Sequence, residues 1–353
     1  MISFILPIRN EAQSISKTVS SILNQKFDGK DFEIIIADGE SDDGTKQIIK
    51  ELEKKNKKIK LINNPEKISA SGFNRALTIC MGQIIIRVDG HVELDKNYIE
   101  NYYDIIKKVD ADCVGGRTIH IGKGIVGKSI CLGQTSKFGV GGARFREKIE
   151  IGGYVDTLAF GIYKRDLFQR FGSYDEELKK NQDDEFNFRI NQKNKKIWLD
   201  PRLLSYYKTR SSYFELFNQY FQYGFYKVRV IQKRRGIASL RHIVPALFCS
   251  SIIFSLFISI ITKDPIFLIS FLIFYAMTNL FATFYELVKN PRDIFSILIL
   301  PFTYFVLHFS YGFGFLCGGF YFFNKWPDNQ IKNPSFNKEI FILNGKRKFE
   351  KKN

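Results

Sequence analysis

Ile84-Ile85-Ile86-Arg87-Val88-Asp89-Gly90-His91 is the stretch from which the fold is read. Four of its first five residues are aliphatic, which suits a short strand buried on both faces of a parallel sheet, and it ends on a carboxylate, a glycine and an imidazole. Ligands of open α/β sheets bind at the carboxyl ends of strands, so Asp89, Gly90 and His91 fall where chemistry is expected. Asp89 and His91, two apart on an emerging loop, have the type and spacing to share a divalent cation, and Gly90 lets the backbone turn close to it. A strand followed by an ordinary polar turn has the same residues, so the motif needs its surroundings.

Upstream, the same plan recurs. Residues 2–8 are an apolar run ending at Pro7-Ile8; Arg9-Asn10-Glu11 follow, then a helical pattern with Ile15, Val19, Ile22 and Leu23 on one face. Asn10 with Gln13 three residues on matches a capping box. Glu33-Ile34-Ile35-Ile36-Ala37 is a second buried strand ending at Asp38, followed by the polar loop Gly39-Glu40-Ser41-Asp42-Asp43-Gly44-Thr45 and a helix with Ile48, Ile49 and Leu52 inward. A third strand near 59–62 leads to a helix around 70–81. Alternating strands and helices mean right-handed crossovers, so the first ~100 residues predict a nucleotide-binding α/β half-domain with a mostly parallel sheet.

Downstream the alternation weakens. Gly115-Gly116, Gly139 to Gly142 and Gly152-Gly153 punctuate residues 110–210 as loops shaping a second binding surface would; 154–163 reads as a strand and 165–171 as a short helix. Aromatic residues crowd after residue 213. Three apolar segments follow, 243–262, 266–285 and 294–323, the first two near the ~20 residues that a bilayer crossing needs. The third is interrupted by Pro301 and by Gly312, Gly314, Gly318 and Gly319; one tilted span, a kinked span with an interfacial start, or a re-entrant hairpin all fit. The expected organisation is a catalytic domain at 1–226, a basic juxtamembrane segment at 227–242, two to three transmembrane helices at 243–323 and a basic tail at 324–353.

The formal net charge is +17 over 353 residues. Lys227, Arg229, Lys233, Arg234, Arg235 and Arg241 precede the apolar run with no acid among them, the pattern of a juxtamembrane cluster facing anionic lipids on the cytoplasmic side. No nucleic-acid recognition motif accompanies the basic residues, so nucleic acid is not an expected partner. The five scattered cysteines lack any Cys-x-x-Cys pair and fit a reducing compartment. The N-terminus lacks the pattern of a signal peptide and reads as the first strand. The tail holds eight Lys and Arg against three acids over 325–353, so three crossings would leave it outside, against the positive-inside tendency, and two would keep it inside.

Glu11 and Asp38 end the first two strands and point into one crevice, where they can hydrogen-bond a base and a ribose; taken singly, a helix-start charge and a turn residue look the same. Asn74 and Arg75 approach that crevice from the third unit, Arg75 with the chemistry to hold a phosphate. A nucleoside diphosphate needs its charge balanced, usually by Mg²⁺ or Mn²⁺ on few protein ligands, and an imidazole shifts the preference toward Mn²⁺. A hydroxyl nucleophile needs a general base; Asp183, crowded by Asp184 and Glu185, suits that role, although three successive acids also describe a solvated helix start.

Ile5-Leu6-Pro7-Ile8-Arg9-Asn10-Glu11, Asp38-Gly39-Glu40-Ser41-Asp42-Asp43-Gly44-Thr45, Arg87-Val88-Asp89-Gly90-His91 and Gln182-Asp183-Asp184-Glu185-Phe186 stand in the order and approximate spacing of glycosyltransferase family 2. The chain resembles the membrane-anchored, succinoglycan-type exopolysaccharide branch of that family. The resemblance implies a GT-A fold, with Pro7, Arg9, Glu11, Asp38, Asn74, Arg75 and Asp89 toward a nucleotide diphosphate sugar. It puts Asp89 and His91 at the position of the metal-binding Asp-x-Asp, Asp183 at that of the base, and Asp184, Glu185, Tyr223 and Lys227 around the base or acceptor. Gln219 to Lys227 is similar to the family's aromatic and basic segment that closes over the diphosphate, and is also an amphipathic helix. His91 replaces the second aspartate and Gln182 the acid before the base.

The expectation is a metal-dependent, inverting hexosyltransferase. It would transfer from a nucleotide diphosphate sugar to a hydroxyl of a lipid-linked glycan in cell-surface polysaccharide synthesis. It would be a multi-pass protein of a bacterial-type inner membrane with its catalytic domain cytoplasmic. A polyprenyl-phosphate sugar synthase, which needs no base, and a membrane-tethered nucleotide-sugar binder without catalysis are the alternatives.

Overall fold

A computed structural model describes residues 1–26, 31–237 and 239–325. The described residues form two compact units, the first from Met1–Thr118 with Ile149–Tyr206, the second from Ile119–Lys148 with the described residues from 207 to 325. Residues 119–148 and 207–226 cluster with the apolar helices.

The first unit is built on isoleucine. Strands β1 (Ile2–Ile8), β2 (Phe32–Asp38), β3 (Ile59–Asn63) and β4 (Ile84–Arg87) alternate with helices α1 (Ile15–Leu23), α2 (Thr45–Lys55) and α3 (Ser69–Ile79). β1 is buried along its whole length and pairs in parallel with β2 and β4, while β2 pairs in parallel with β3. α1 buries Ile15, Val19 and Ile22 at helical spacing against this layer. The register sets Ile8 opposite Asp38 and Ile5 opposite Arg87, so the loops after β1, β2 and β4 leave at one edge.

Further on the chain adds β5 (Val92–Leu94), α4 (Tyr98–Ile106), β6 (Cys113–Ile121), α5 (Gly124–Thr135), α6 (Lys137–Val140), β7 (Gly153–Tyr154), β8 (Ile162–Lys164), α7 (Arg165–Phe171), α8 (Gln182–Asn191) and β9 (Ile197–Lys208). The nine-stranded sheet runs β3-β2-β1-β4-β8-β6-β9-β5, with β7 beside β9. It turns mixed at β8, which is antiparallel to both β4 and β6. The continuous strand expected at 154–163 is absent; only its ends are strands, and Phe160 between them takes a left-handed backbone (φ 53°). Phe168 stacks on Phe186 at 4.7 Å and Phe73 on Tyr174 at 4.2 Å, fastening α3, α7 and α8 into one aromatic layer.

The second unit is helical: α5, α6, α9 (Tyr213–Arg234), α10 (Val244–Thr262), α11 (Ile266–Lys289), α12 (Ile294–Leu298) and α13 (Leu300–Tyr321). Ile130, Leu216, Tyr220, Leu300, Tyr304 and Leu307 make its core. Among the described residues three helices are long and apolar enough to cross a membrane: Leu240–Thr262, Ile266–Lys289 and Leu300–Tyr321. The first two expose Phe254, Phe257, Phe274, Phe281 and Phe284, a surface that suits lipid.

The glycines of the third segment do not break it. The interruption lies at Ile299, between α12 and α13, with Pro301 in the first turn of α13 where its missing N–H costs nothing. The glycines instead let backbones touch: a Cβ on Gly224 of α9 would fall 2.0 Å from the Tyr311 carbonyl oxygen, and one on Gly314 2.1 Å from that of Phe221.

The basic run departs from expectation. Lys227, Arg229, Lys233 and Arg234 are buried, Arg241 is half-buried and Arg235 is exposed, so most of the cluster does not face lipid. Arg229 donates to Gln232 and to the Lys325 carbonyl, and Gln232 donates to the Phe322 carbonyl at 2.8 Å; the basic end of α9 thus satisfies carbonyls beyond the C-terminus of α13. All five cysteines are free. From residue 326 the basic tail lies outside the described residues.

Candidate active site

The loops leaving β1 and β2 are laced together. Asn10, in a left-handed conformation, donates its backbone N–H to Ser41 Oγ and its Nδ2 to Asp42 Oδ1, and accepts from the Asp42 N–H. The Glu11 N–H reaches Thr45 Oγ1 and the Ala12 N–H reaches Asp43 Oδ2. The expected capping box is therefore not formed: α1 begins at Ile15 after Ser14, because Asn10 is engaged across the crevice.

One residue organises the chemistry at this edge, and it lies inside the strand rather than beyond it. Arg87, only 6% exposed, extends Nη2 to Asp89 Oδ1 and Nη1 to Asp183 Oδ2, each at 2.9 Å. Burial alone would lower the arginine's pKa, yet Asp89 and Asp183 hold it well above its ordinary value, so the guanidinium stays charged. Tyr174 lies under it, ring to guanidinium 5.7 Å. The carboxylates expected to bind metal and to act as base are thereby held on one planar cation, each about a quarter exposed.

His91 takes a different partner. Its Nδ1 lies 2.6 Å from Glu11 Oε1, whose other oxygen accepts from Ser14 Oγ. A Cβ on Gly90 would fall 2.7 Å from Glu11 Cγ, so the Asp-Gly-His turn needs glycine to approach Glu11 rather than an ion. Among the described residues no three His, Cys, Asp or Glu side chains converge as a metal cage. The donors still fit an ion completed by substrate oxygens: Asp89 is partly open to solvent, and a carboxylate on Nδ1 is the support that leaves a histidine's Nε2 as the ligand atom. Asp89 and His91 would hold such an ion.

Asp38 is fully buried. Its Oδ2 accepts from the Ser41 N–H at 3.2 Å, and Oδ1 has no partner, the condition a donor group on a bound base or ribose would relieve. Pro7 is buried in β1 under Gly72 of α3, and Arg9 is exposed at the mouth of the laced loops. Asn74 sits on α3, with its amide committed to the loop before α8: it donates to the Tyr174 carbonyl and Glu176, and accepts from Ser173 Oγ and the Tyr174 N–H. Arg75 makes a two-pronged pair with Glu66 on the surface. Neither points its polar atoms to a free phosphate position in this state.

The three acids that open α8 divide sharply. Asp183 faces Arg87, whereas Glu185 is fully buried against Arg189 at 2.7 Å, and Arg189 also donates to the carbonyls of Phe171 and Ser173. Glu185 therefore fixes α8 and the preceding loop, and Asp184 lies beside it, half-buried. Tyr223 and Lys227 belong to the second unit: Tyr223 accepts from Gln219, and Lys227 is buried in α9.

Arg87 escaped the sequence reading. The signal was present, because residues two apart at the end of a strand share a face, so Arg87 and Asp89 could be read as neighbours. The Arg87 to Asp183 contact joins residues far apart in sequence and had no local signal.

Residues 3–172 match the model of Glycosyl transferase family 2. Succinoglycan biosynthesis protein ExoA of Rhizobium meliloti is 27% identical over 68% of this chain and 73% of its own length. The dolichyl N-acetyl-alpha-D-glucosaminyl phosphate 3-beta-D-2,3-diacetamido-2,3-dideoxy-beta-D-glucuronosyltransferase of Methanococcus voltae is 28% identical over 90% of this chain and 96% of its own. The mannosyltransferase PcManGT from Pyrobaculum calidifontis, solved with GDP-Man and Mn2+, aligns over 88% of this chain and 86% of its own at a TM-score of 0.55 and 14% identity, a likeness of fold. The family match ends before α8, so Asp183 rests on its geometry.

Proposed function

The chain carries a glycosyltransferase family 2 domain of GT-A type, and from that premise we propose that it is an inverting transferase acting on a lipid-linked glycan. In this reading the donor is a nucleotide diphosphate sugar and the acceptor is a hydroxyl on a glycan carried by a membrane lipid. The observation that carries it is the convergence of Asp89 and Asp183 on Arg87. A mere nucleotide binder needs no second carboxylate poised beside the first, and a phosphate acceptor needs no base.

Asp38, Pro7, Arg9 and Glu11 form the nucleoside end, with the unpartnered Asp38 oxygen as hydrogen-bond acceptor. Asn74 and Arg75 act at one remove, through the 173–176 loop and Glu66. Bound Mn²⁺ or Mg²⁺, held by Asp89 and His91, would supply Lewis acidity at the leaving diphosphate. Asp183 takes the proton of the attacking hydroxyl while the bond from the anomeric carbon to the diphosphate breaks on the opposite face, so one displacement inverts the centre. Arg87 orients Asp183 toward the attacking hydroxyl.

The lipid acceptor is supported by the three apolar helices and by the relatives, one named for a dolichyl-phosphate-linked substrate. A cytoplasmic catalytic unit agrees with five free cysteines. The anomeric configuration of the product, read by NMR with an α-linked donor, tests the mechanism. A β-linkage is expected; a retained α-linkage, or a trapped glycosyl-enzyme, overturns it.

A further inference from the structure

A second arginine, in the helical unit, has no such balance. Arg146 donates Nη1 to the Tyr220 hydroxyl at 3.0 Å, and its Nε is sealed from solvent with no acceptor. No carboxylate pairs with it among the described residues. Tyr207 and Tyr223 lie within range of its charge, and Gln219, which donates to both of their hydroxyls, has a buried Oε1 that itself lacks a partner. An enclosed guanidinium without a counter-charge is costly, and proteins retain one where an anion completes the site. Its field reaches His120, which burial and then Arg146 push down to about 3.

The surroundings identify the anion. Residues 137–148 carry Lys137, Arg144, Arg146 and Lys148 against the single acid Glu147. Lys137, Gly141, Gly142, Arg144 and Glu147 line an open groove of about 590 Å³. This stretch is held among the candidate spans: Tyr304 donates to Ser136 Oγ at 2.9 Å, His308 Nε2 donates to the Phe138 carbonyl at 2.8 Å, and Gly141 lies against Arg241 at the start of the first span. A cationic groove embedded in helices of that kind meets phosphate at the membrane surface rather than in bulk water.

We propose that Arg146 with Tyr220, on the basic stretch that also carries Lys137 and Arg144, binds the phosphate of a membrane-borne lipid, the diphosphate that carries the acceptor glycan. The proposal rests on the transferase reading only for the identity of that lipid. A planar guanidinium gives a phosphate two parallel N–H donors, and the phenol adds a third. The same chemistry is available from the diphosphate of a soluble nucleotide and from ordinary anionic phospholipid, so the test separates three sources.

The full-length protein in detergent micelles is titrated, by native mass spectrometry, with a long-chain polyprenyl diphosphate, the matching polyprenyl alcohol, phosphatidylglycerol and UDP. Arg146→Gln is expected to lower affinity for the polyprenyl diphosphate about tenfold, the worth of a lost charge-assisted pair, with the alcohol and UDP changed less than about twofold. Arg146→Lys restores part of the loss. Should Arg146→Gln fail to fold, the exposed pair Lys137→Gln with Arg144→Gln gives a several-fold loss of the same selectivity. Unchanged lipid affinity in every folded variant overturns the proposal. So does an equal fall for UDP, which assigns the arginine to the donor, or an equal fall for phosphatidylglycerol, which reduces it to general headgroup attraction. A wild type that binds the polyprenyl diphosphate through Arg146 yet consumes no sugar donor leaves this site standing and removes the transferase reading instead.

Discussion

Arg87 and Arg146 are both enclosed guanidinium groups, and they differ in what surrounds them. Arg87 lies at the end of a sheet strand with two carboxylates at 2.9 Å, so its charge is balanced within the protein. Arg146 lies among tyrosines and glutamine in the helical unit, with no acid partner among the described residues; a buried Nε without an acceptor is common to both. A balanced buried cation positions what it touches; an unbalanced one waits for what it lacks. In the proposed reading the α/β unit holds its catalytic groups assembled in advance, and the helical unit holds a site that a ligand completes.

The largest effect should come from the other balanced arginine of the first unit. Glu185→Ala leaves Arg189 buried without its partner and should cost about 3–5 kcal/mol, read as a large drop in the melting temperature of the purified protein. A drop no larger than that of a surface substitution would break the claim that balance is what makes these charges tolerable. Arg87→Met should come next. It frees Asp89 and Asp183 from a common frame, and a loss of roughly 100-fold in turnover is expected, the usual cost of misplacing a reacting group by about an ångström. Arg87→Lys, which keeps the charge and can keep one contact, should lose less, and equal losses in both variants would mean that the two-armed geometry, not the charge, is what matters.

Gly224→Leu sharpens the other side of the comparison. It forces α9 away from α13 and so shifts Tyr220 and Gln219; about 1–3 kcal/mol of thermal stability should go, together with lipid affinity rather than nucleotide affinity. Arg75→Ala should do least. Its pair with Glu66 is exposed at 43% on both sides, and such pairs contribute about 0–1 kcal/mol, so donor KM is expected to change less than about threefold. A tenfold rise would return Arg75 to the phosphate role that the sequence suggests.

The legible part of the fold was the part decided locally. Runs such as Ile34-Ile35-Ile36 and Ile84-Ile85-Ile86 announce buried parallel strands, and the carboxylates that follow them announce the edge where the site lies. The antiparallel strands from β6 to β9 take their partners from distant sequence and their hydrophobic alternation is weak, so the run at 154–163 reads as one strand and is not. Gly312, Gly314 and Gly318 read as helix breakers because their partner backbones, on α10 and α9, are invisible from sequence. The basic cluster at 227–234 reads as lipid-facing for the same reason: Arg229 is spent on the Lys325 carbonyl, a partner far away in sequence. At the site, Asp89 and Asp183 were named from motif order, Arg87 was passed over as a strand residue, and the pairing of His91 with Glu11 could not be foreseen from two residues in different loops.

The most direct test of the central claim is sugar transfer and donor hydrolysis by membranes containing the full-length protein. Uridine, guanosine and thymidine diphosphate sugars are screened with Mn²⁺ or Mg²⁺, for the wild type beside Asp89→Ala and Asp183→Asn. One donor should be consumed only with metal, and Asp183→Asn should fall by about 10²–10⁴-fold, the range for loss of a general base. A wild type that binds a nucleotide sugar but turns over none, or an Asp183→Asn variant with near-normal transfer, would contradict the account.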